Sequence, residues 1–361
     1  MEDIKLFNPT PNKVYLPFAL KKHRKETDKI DEYKDWLLKF KLVQNETQAL
    51  SLARTGSYHV RIFYPNIKSF QEKDIVDLCN WVCLLDEIIE KKIKKEEVSN
   101  VGYFLHKLVA KIKSYTLYNS IYFENIGNDE LIHKLINALN DVIERIKLWS
   151  EITYVNSIIN EIVNFILVAE WESFLDISNP LTILDDYCLM RTTNGGGHFA
   201  NSIIKCINKV EPNINEKRPG LTQVLINSIL LVLVIDNDIY SYNKEYEEKN
   251  IRNNIITLVN KKYQNNCIIS SLNQVIDLRN QILFCYVNQR DKLMKTENNG
   301  IYDYLNSLEQ MIPGNLIFGK TCKRYNTSNK IIPDLKSSSN FKDSGNIHLD
   351  IKSIQWWWRT N

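Results

Sequence analysis

Apolar residues recur along most of this chain at three- and four-residue spacing, the period of helices that bury one face. Residues 28–43 carry Ile30, Tyr33, Trp36, Leu37 and Phe40 in that pattern. A second helix is expected over 46–64. It stops at Tyr64-Pro65-Asn66, because a residue before proline avoids the helical region. A third, over about 69–93, carries Phe70, Ile75, Leu78, Trp81, Val82, Leu84 and Leu85. Helices are expected at 101–116, 128–149 and 150–174, and Asn179-Pro180 has the form of another helix start. That helix runs through Tyr187 and Leu189. Others are expected at 219–246, 250–261, 265–295 and 299–311, the last before Pro313. Few glycines and prolines, 11 and 9, agree with long helices rather than many strands.

The two ends read differently. Residues 1–27, with Pro9, Pro11, Pro17 and the basic run Lys21-Lys22-His23-Arg24-Lys25, read as an irregular N-terminal arm. From Asn326 the chain turns polar and serine-rich, so 326–361 is expected to be a disordered tail. Its closing Trp356-Trp357-Trp358 has no account at this level. The helical unit is then 28–325, an all-α single domain.

Composition narrows the class. Hydrophobic residues make up 44% and charged residues 25%, an ordinary globular balance. A formal net charge of +3 does not point to nucleic acid. Seven cysteines, an odd number without a CxxC pair, point to reduced thiols and a cytoplasmic protein. Cys79 and Cys83 share a helical face and read as two buried thiols. The longest apolar stretch, Val224 to Ile235, is short for a bilayer, so no transmembrane segment is expected.

Four patches carry candidate chemistry. Asn237, Ser241 and Glu245 follow that apolar stretch at i, i+4 and i+8, within about 80° of one another on a helix. Amide, hydroxyl and carboxylate oxygens are hard ligands of the kind Mg²⁺ takes, and Lys244 beside them suits an anion. Taken alone, such a stripe would mark a helix emerging into solvent. Asp86, Glu87 and Glu90 form a second acidic patch. Like charges one turn apart repel. Either a divalent cation relieves them, or Lys91, Lys92, Lys94 and Lys95 pair with them. Arg191 stands at the edge of Thr192-Thr193-Asn194-Gly195-Gly196-Gly197, where three glycines break a helix and free backbone groups. Arg324 and Tyr325 close the helical unit. Acidic patches cannot face a polyanion without repulsion, but divalent metal between them bridges the two while arginines neutralise the remainder.

This set resembles the class I terpene synthases in their microbial single-domain form. Asn237-Asp238-Ile239-Tyr240-Ser241-Tyr242-Asn243-Lys244-Glu245 is similar to the family's NDxxSxxKE metal motif, and Asp86-Glu87-Ile88-Ile89-Glu90 to its aspartate-rich motif. Arg191 stands where the family carries a diphosphate-sensing arginine, and Arg324-Tyr325 resembles its closing RY pair. Trp171 and Tyr187 match a family Trp and Tyr ahead of the sensor. The resemblance covers about residues 10–325. It implies a helical barrel with Mg²⁺, three ions, or Mn²⁺ as substitute. Asn237, Ser241, Glu245, Asp86 and Glu90 would bind metal, while Arg191, Lys244, Arg324 and Tyr325 would hold diphosphate. It also implies that Asn194 is a linker and Gly195 an effector whose carbonyl faces the allylic carbon.

There are departures from the pattern. Glu87 replaces the second Asp of the acidic motif. At two positions where pocket aromatics are common, Phe318 keeps that character and Cys83 loses it. The implied activity is a lyase, a monomer or homodimer, converting an acyclic prenyl diphosphate to a hydrocarbon or alcohol. Farnesyl diphosphate is the expected substrate; geranyl or geranylgeranyl diphosphate is the alternative. A chain-elongating transferase would want a second DDxxD, which NDxxSxxKE replaces. Ile183-Leu184-Asp185-Asp186, the nearest match to a DxDD motif, lacks its first Asp, which argues against protonation-initiated cyclisation.

Overall fold

The computed structural model describes residues 12–21, 29–118, 129–174, 184–211, 220–249, 251, 254–265, 267–295, 299–325, 327, 330–342 and 349–359. A short strand β1 (Val14–Tyr15) precedes α1 (Ile30–Lys39), α2 (Glu46–Phe63), α3 (Ser69–Lys95) and α4 (Val98–Tyr118). Then come α5 (Glu130–Lys147), α6 (Ile152–Ser173), α7 (Leu184–Asn194), α8 (Gly197–Asn208) and α9 (Leu221–Glu247). The chain continues through α10 (Ile255–Tyr263), α11 (Ile268–Met294), α12 (Asn299–Thr321), strand β2 (Ser337–Ser338) and α13 (Lys352–Gln355).

Local signals set these boundaries. The Asn45 side chain accepts from Gln48 N (2.9 Å) and starts α2, and Asp129 does the same for α5. Such caps satisfy amides that the helix itself leaves unpaired. The helix start read at Asn179-Pro180, and most of the basic run in the arm, lie outside the described residues.

The core centres on α9. Its segment 228–236 is buried throughout, and the helix packs against α7, α8, α10, α11 and α12. Each fully buried Leu, Ile or Val there contributes roughly 1.5–3 kcal/mol. By length and composition α6 and α9 could each cross a membrane, but α9 has 83% of its apolar window inside the fold and α6 has 44%. At the end of that apolar run Asp236 pairs with Arg279 of α11 at 2.9 and 3.1 Å, both side chains fully buried. Arg279 also donates to the carbonyl of Tyr15, so β1 is tied to the same pair.

Two expectations need correction. The helix expected to end at 311 continues through Pro313 to Thr321. Proline inside a helix costs about 3 kcal/mol. Here tertiary packing outweighs that cost: Ile312 and Leu316 are buried, and Asn315 donates to Leu233 O (2.9 Å). The tail expected to be disordered is, at its described residues, docked on the helical body. Its β2 pairs in parallel with β1, Phe341 stacks on Phe284 (4.1 Å), and Ile332, Leu335, Leu349, Ile351, Ile354 and Trp357 are buried. Gln289 donates to the Trp357 carbonyl (2.6 Å), and Ser353 N donates to Asp185 of α7 (2.6 Å). Polar composition was a poor guide here, because buried apolar residues every few positions supply the burial energy a disordered segment lacks.

Candidate active site

The end of α9 holds Asn237, Asp238, Ser241, Lys244 and Glu245 in one continuous helix, as the stripe requires. Ser241 donates to Glu245 Oε1 (2.5 Å), and Asn254, the cap of α10, donates to Glu245 Oε2 (3.1 Å). Burial, reinforced by the nearby Asp238 charge, pushes the Glu245 carboxyl up to about 7. Asn237 donates to the Tyr325 hydroxyl (3.0 Å). Lys244 lies 3.7 Å from Glu248.

The acidic patch of α3 faces this wall across the Arg324-Tyr325 turn. Arg324 is 3.8 Å from Asp86, whose side chain is 41% accessible. Even so, close packing pushes the Asp86 carboxyl up to about 7, with Glu90 adding like-charge repulsion and Arg324 opposing it. A side chain both accessible and crowded by protein lines a concavity. Cys83, one turn earlier, shows the same pairing of properties, with an exposed side chain and a thiol raised to about 11. The lysines do not neutralise the patch. Lys91 reaches only Glu87 (3.9 Å), Lys92 pairs with Glu96 and Lys94 with Glu248. Among the described residues Glu90 has no ion-pair partner.

Phe318 lies beside these groups. Its ring meets His59 (5.3 Å), Tyr58, Tyr325 (both 6.3 Å) and Phe63 (6.5 Å). Gly319 next to it fits closely against α9, since a Cβ there would fall 2.2 Å from the Tyr240 ring. That gives Tyr240 a packing role which its place in the motif does not announce.

The glycine break falls where expected. α7 ends at Asn194, Gly196 takes φ +76°, and α8 begins at Gly197. A Cβ on Gly195 would sit 2.6 Å from Val234, so only glycine lets the break approach α9 this closely. None of the described non-helical backbone hydrogen bonds ends on the Gly195 carbonyl.

Arg191 is turned toward α9. Its Nε and Nη2 donate to Asp238 Oδ1 (3.1 and 2.8 Å), and its Nη1 donates to Asn194, which in turn donates to Glu172. Asp238 also accepts from the Tyr187 hydroxyl and from Ile255 N, each 2.9 Å. Sequence reasoning missed Asp238, Asn254 and Glu172 as site residues. Asp238 could have been found, since a helix position adjacent to the stripe points about 100° away, back toward α7. Asn254 and Glu172 are brought in only by tertiary packing.

These residues suit a divalent cation. The donors are hard oxygens, and a cation beside them would favour the ionised form of the two carboxyls that burial raises. Among the described residues no three acidic, histidine or cysteine side chains converge on one point.

A family model described as "Terpene synthase family 2, C-terminal metal binding" matches residues 77–278. The chain belongs to this terpene synthase family, so it is an enzyme of a class whose substrates are prenyl diphosphates, with a metal-binding domain. It is 22% identical over 312 residues to a farnesyl-diphosphate-cyclizing 4-epi-cubebol synthase of Streptosporangium roseum, covering 86% of this chain and 89% of that one. It is 27% identical over 257 residues to terpene synthase 11 of Dictyostelium purpureum, covering 68% and 64%. The solved structure of the SVS_A2 protein from ancestral sequence reconstruction superposes with a TM-score of 0.71 at 17% identity, covering 97% and 98%. Hedycaryol synthase superposes at 0.66 and 14% identity, covering 86% and 98%. At these identities the structures establish the shared all-α fold.

Proposed function

We propose that the enzyme ionises farnesyl diphosphate in a Mg²⁺-dependent reaction and releases diphosphate with a sesquiterpene hydrocarbon or alcohol. The observation that carries this reading is the facing of two oxygen-rich walls, α3 with Asp86 and Glu90 and α9 with Asn237, Ser241 and Glu245, across the Arg324-Tyr325 turn. Bound between these walls, Mg²⁺ would supply charge neutralisation of the leaving diphosphate. The family resemblance implies three such ions.

The chain's own groups do the rest in this reading. Arg191, Lys244, Arg324 and Tyr325 hold the anion and offer hydrogen bonds to its oxygens. Asn194 fixes the Arg191 fork, and the Gly195 carbonyl, left outside the helical ladder, presents a partial negative charge to the allylic carbon. Phe318 and the rings around it form an apolar wall that excludes water, with Cys83 widening it at one point. The farnesyl preference has support from the 4-epi-cubebol and (+)-T-muurolol synthases among its relatives, which are named as cyclizing farnesyl diphosphate. Bonnadiene synthase of Allokutzneria albata and two diterpene cyclases are also relatives.

Incubation of the purified enzyme with geranyl, farnesyl and geranylgeranyl diphosphates and Mg²⁺, followed by product analysis, tests the proposal. A cyclised C15 product is expected. A product only from geranylgeranyl diphosphate would move the enzyme to diterpenes, and diphosphate release from none of the three would falsify the lyase reading.

A further inference from the structure

Asn243, in the nine-residue motif of α9, is a polar side chain that neither the metal stripe, the diphosphate contacts nor the Arg191 pair uses. Asn243 lies about 200° around the helix from both Ser241 and Glu245, on the back of the motif. There it makes three hydrogen bonds to the main chain of the tail. Its Oδ1 accepts from Ile331 N (2.8 Å) and Ile332 N (2.9 Å), and its Nδ2 donates to Ile332 O (3.0 Å). The anchored main chain follows shortly after Arg324-Tyr325. On the near side of that pair, Tyr325 N donates to Cys322 O (3.1 Å) and the Tyr325 hydroxyl accepts from Asn237 (3.0 Å). The motif helix therefore holds the chain just after Arg324 at two points, by Asn237 at Tyr325 and by Asn243 at Ile331 and Ile332.

The grip continues outward. Beyond Ile332 the tail pairs with β1 through Val14 N to Lys336 O (2.9 Å) and Leu16 N to Ser338 O (2.8 Å). Strand β1 in turn is fastened to Arg279, the partner of Asp236 just before the motif.

We infer that Asn243 is a positioning residue for diphosphate recognition. By anchoring Ile331 and Ile332 to the metal-motif helix it holds Arg324 in place for the anion. The inference rests on the reading of the site as a diphosphate–metal site. Its physical content is preorganisation. Arg324, held by the end of α12 before it and by these two anchors after it, has few conformations left to lose when it takes the anion, so less of the interaction is consumed in ordering it. An asparagine suits this task, because one amide satisfies two adjacent main-chain N–H groups and a carbonyl together.

The test uses the full-length enzyme, Mg²⁺ and inorganic diphosphate, with affinity read by calorimetry. N243L removes all three hydrogen bonds and is expected to weaken diphosphate binding about tenfold, as loss of a supporting residue does. N243D keeps the acceptor for both N–H groups and should recover most of that loss. R324A removes the group through which Asn243 is said to act, so N243L added to R324A should cost nothing further. A merely structural role would lower the melting temperature of N243L and leave the affinity of the folded enzyme unchanged. Should N243L not fold, the same cycle is run with N243A, which also removes all three hydrogen bonds. Wild-type affinity in N243L, no recovery in N243D, or a full N243L penalty on top of R324A would each overturn the inference. Failure of the wild-type enzyme to bind diphosphate with Mg²⁺ would instead remove the functional reading on which it stands.

Discussion

The two walls of the site are built in opposite ways. On α9, Asn237, Asp238, Ser241 and Glu245 are each hydrogen-bonded, to groups from α7, α10, the Arg324-Tyr325 turn and the motif itself. On α3, Asp86 has one cation at 3.8 Å and Glu90 has none among the described residues. The α9 wall is set before any ligand arrives. The α3 wall keeps its acids close together and underneutralised, a state that costs energy until positive charge is supplied. A fixed half and an unsatisfied half make a site that gains most when cations and anion arrive together.

Substitutions that strip an acid from either wall should have the largest effect. Glu245→Gln and Asp86→Asn are each expected to lower kcat/KM by on the order of 10³-fold or more, comparable to removing a key electrostatic group elsewhere. Because both carboxyls are pushed up to about 7, their neutral amide replacements should leave thermal stability unchanged or slightly raised. A fully active Glu245→Gln enzyme would show that the α9 stripe holds no metal.

Asp238→Asn attacks the fixed wall without touching the proposed ligands. It removes the charge that Arg191 faces, and should cost about 3 kcal/mol of stability as a broken buried pair. It should also lower activity roughly 10- to 100-fold, in line with loss of a supporting contact. Denaturant unfolding and steady-state kinetics on one preparation measure both. An unaffected melting curve would mean that the α9 wall does not depend on Arg191.

pH offers a third lever. A carboxyl whose pKa is raised on folding stabilises the folded form below its ordinary value, near 4, and loses that contribution as pH rises through about 7. The metal-free enzyme should therefore lose melting temperature between pH 5 and pH 8, as far as these two groups decide it. Metal requires the ionised form, so apparent Mg²⁺ affinity should weaken about tenfold per unit as pH falls below about 7. Affinity independent of pH from 6 to 8 would contradict the assignment of Asp86 and Glu245.

The smallest effect should come from Glu87→Gln. Lys91 already reaches Glu87, and the side chain is offset from Asp86 and Glu90 on the helix. Its activity is expected within about twofold of the parent, since exposed helix pairs contribute only a few tenths of a kcal/mol. A loss near that of Asp86→Asn would place Glu87 among the ligands.

What the sequence revealed follows from the range of the physics involved. Helices and the α9 stripe depend on spacing within one segment, so they were legible from 3.6-residue periodicity. The glycine break was legible as well, since a run of three glycines has few other uses inside a helical region. Asp238 was named only as part of a motif, because its partners Arg191, Tyr187 and Ile255 come from two other helices. Pro313 misled for a related reason. Its local cost is real, but α12 is held by burial against α2 and α9, which a local reading does not see. The tail misled because its serines and asparagines are as numerous as its apolar residues, although Ile332, Leu335, Leu349, Ile351, Ile354 and Trp357 find cover.

The pairing of β1 with β2 has one more consequence, for the order in which the enzyme comes into being. Synthesis runs from the first residue to the last, at about 5–20 residues per second. Helices α1 to α12 are synthesised before Ser337 and Ser338, so the back of the metal motif stays uncovered until the tail follows. Joining strands from opposite ends is costly in an open chain and cheap once α11 already carries β1. The fastening around Asn243 can therefore form only after the helices it covers have been made.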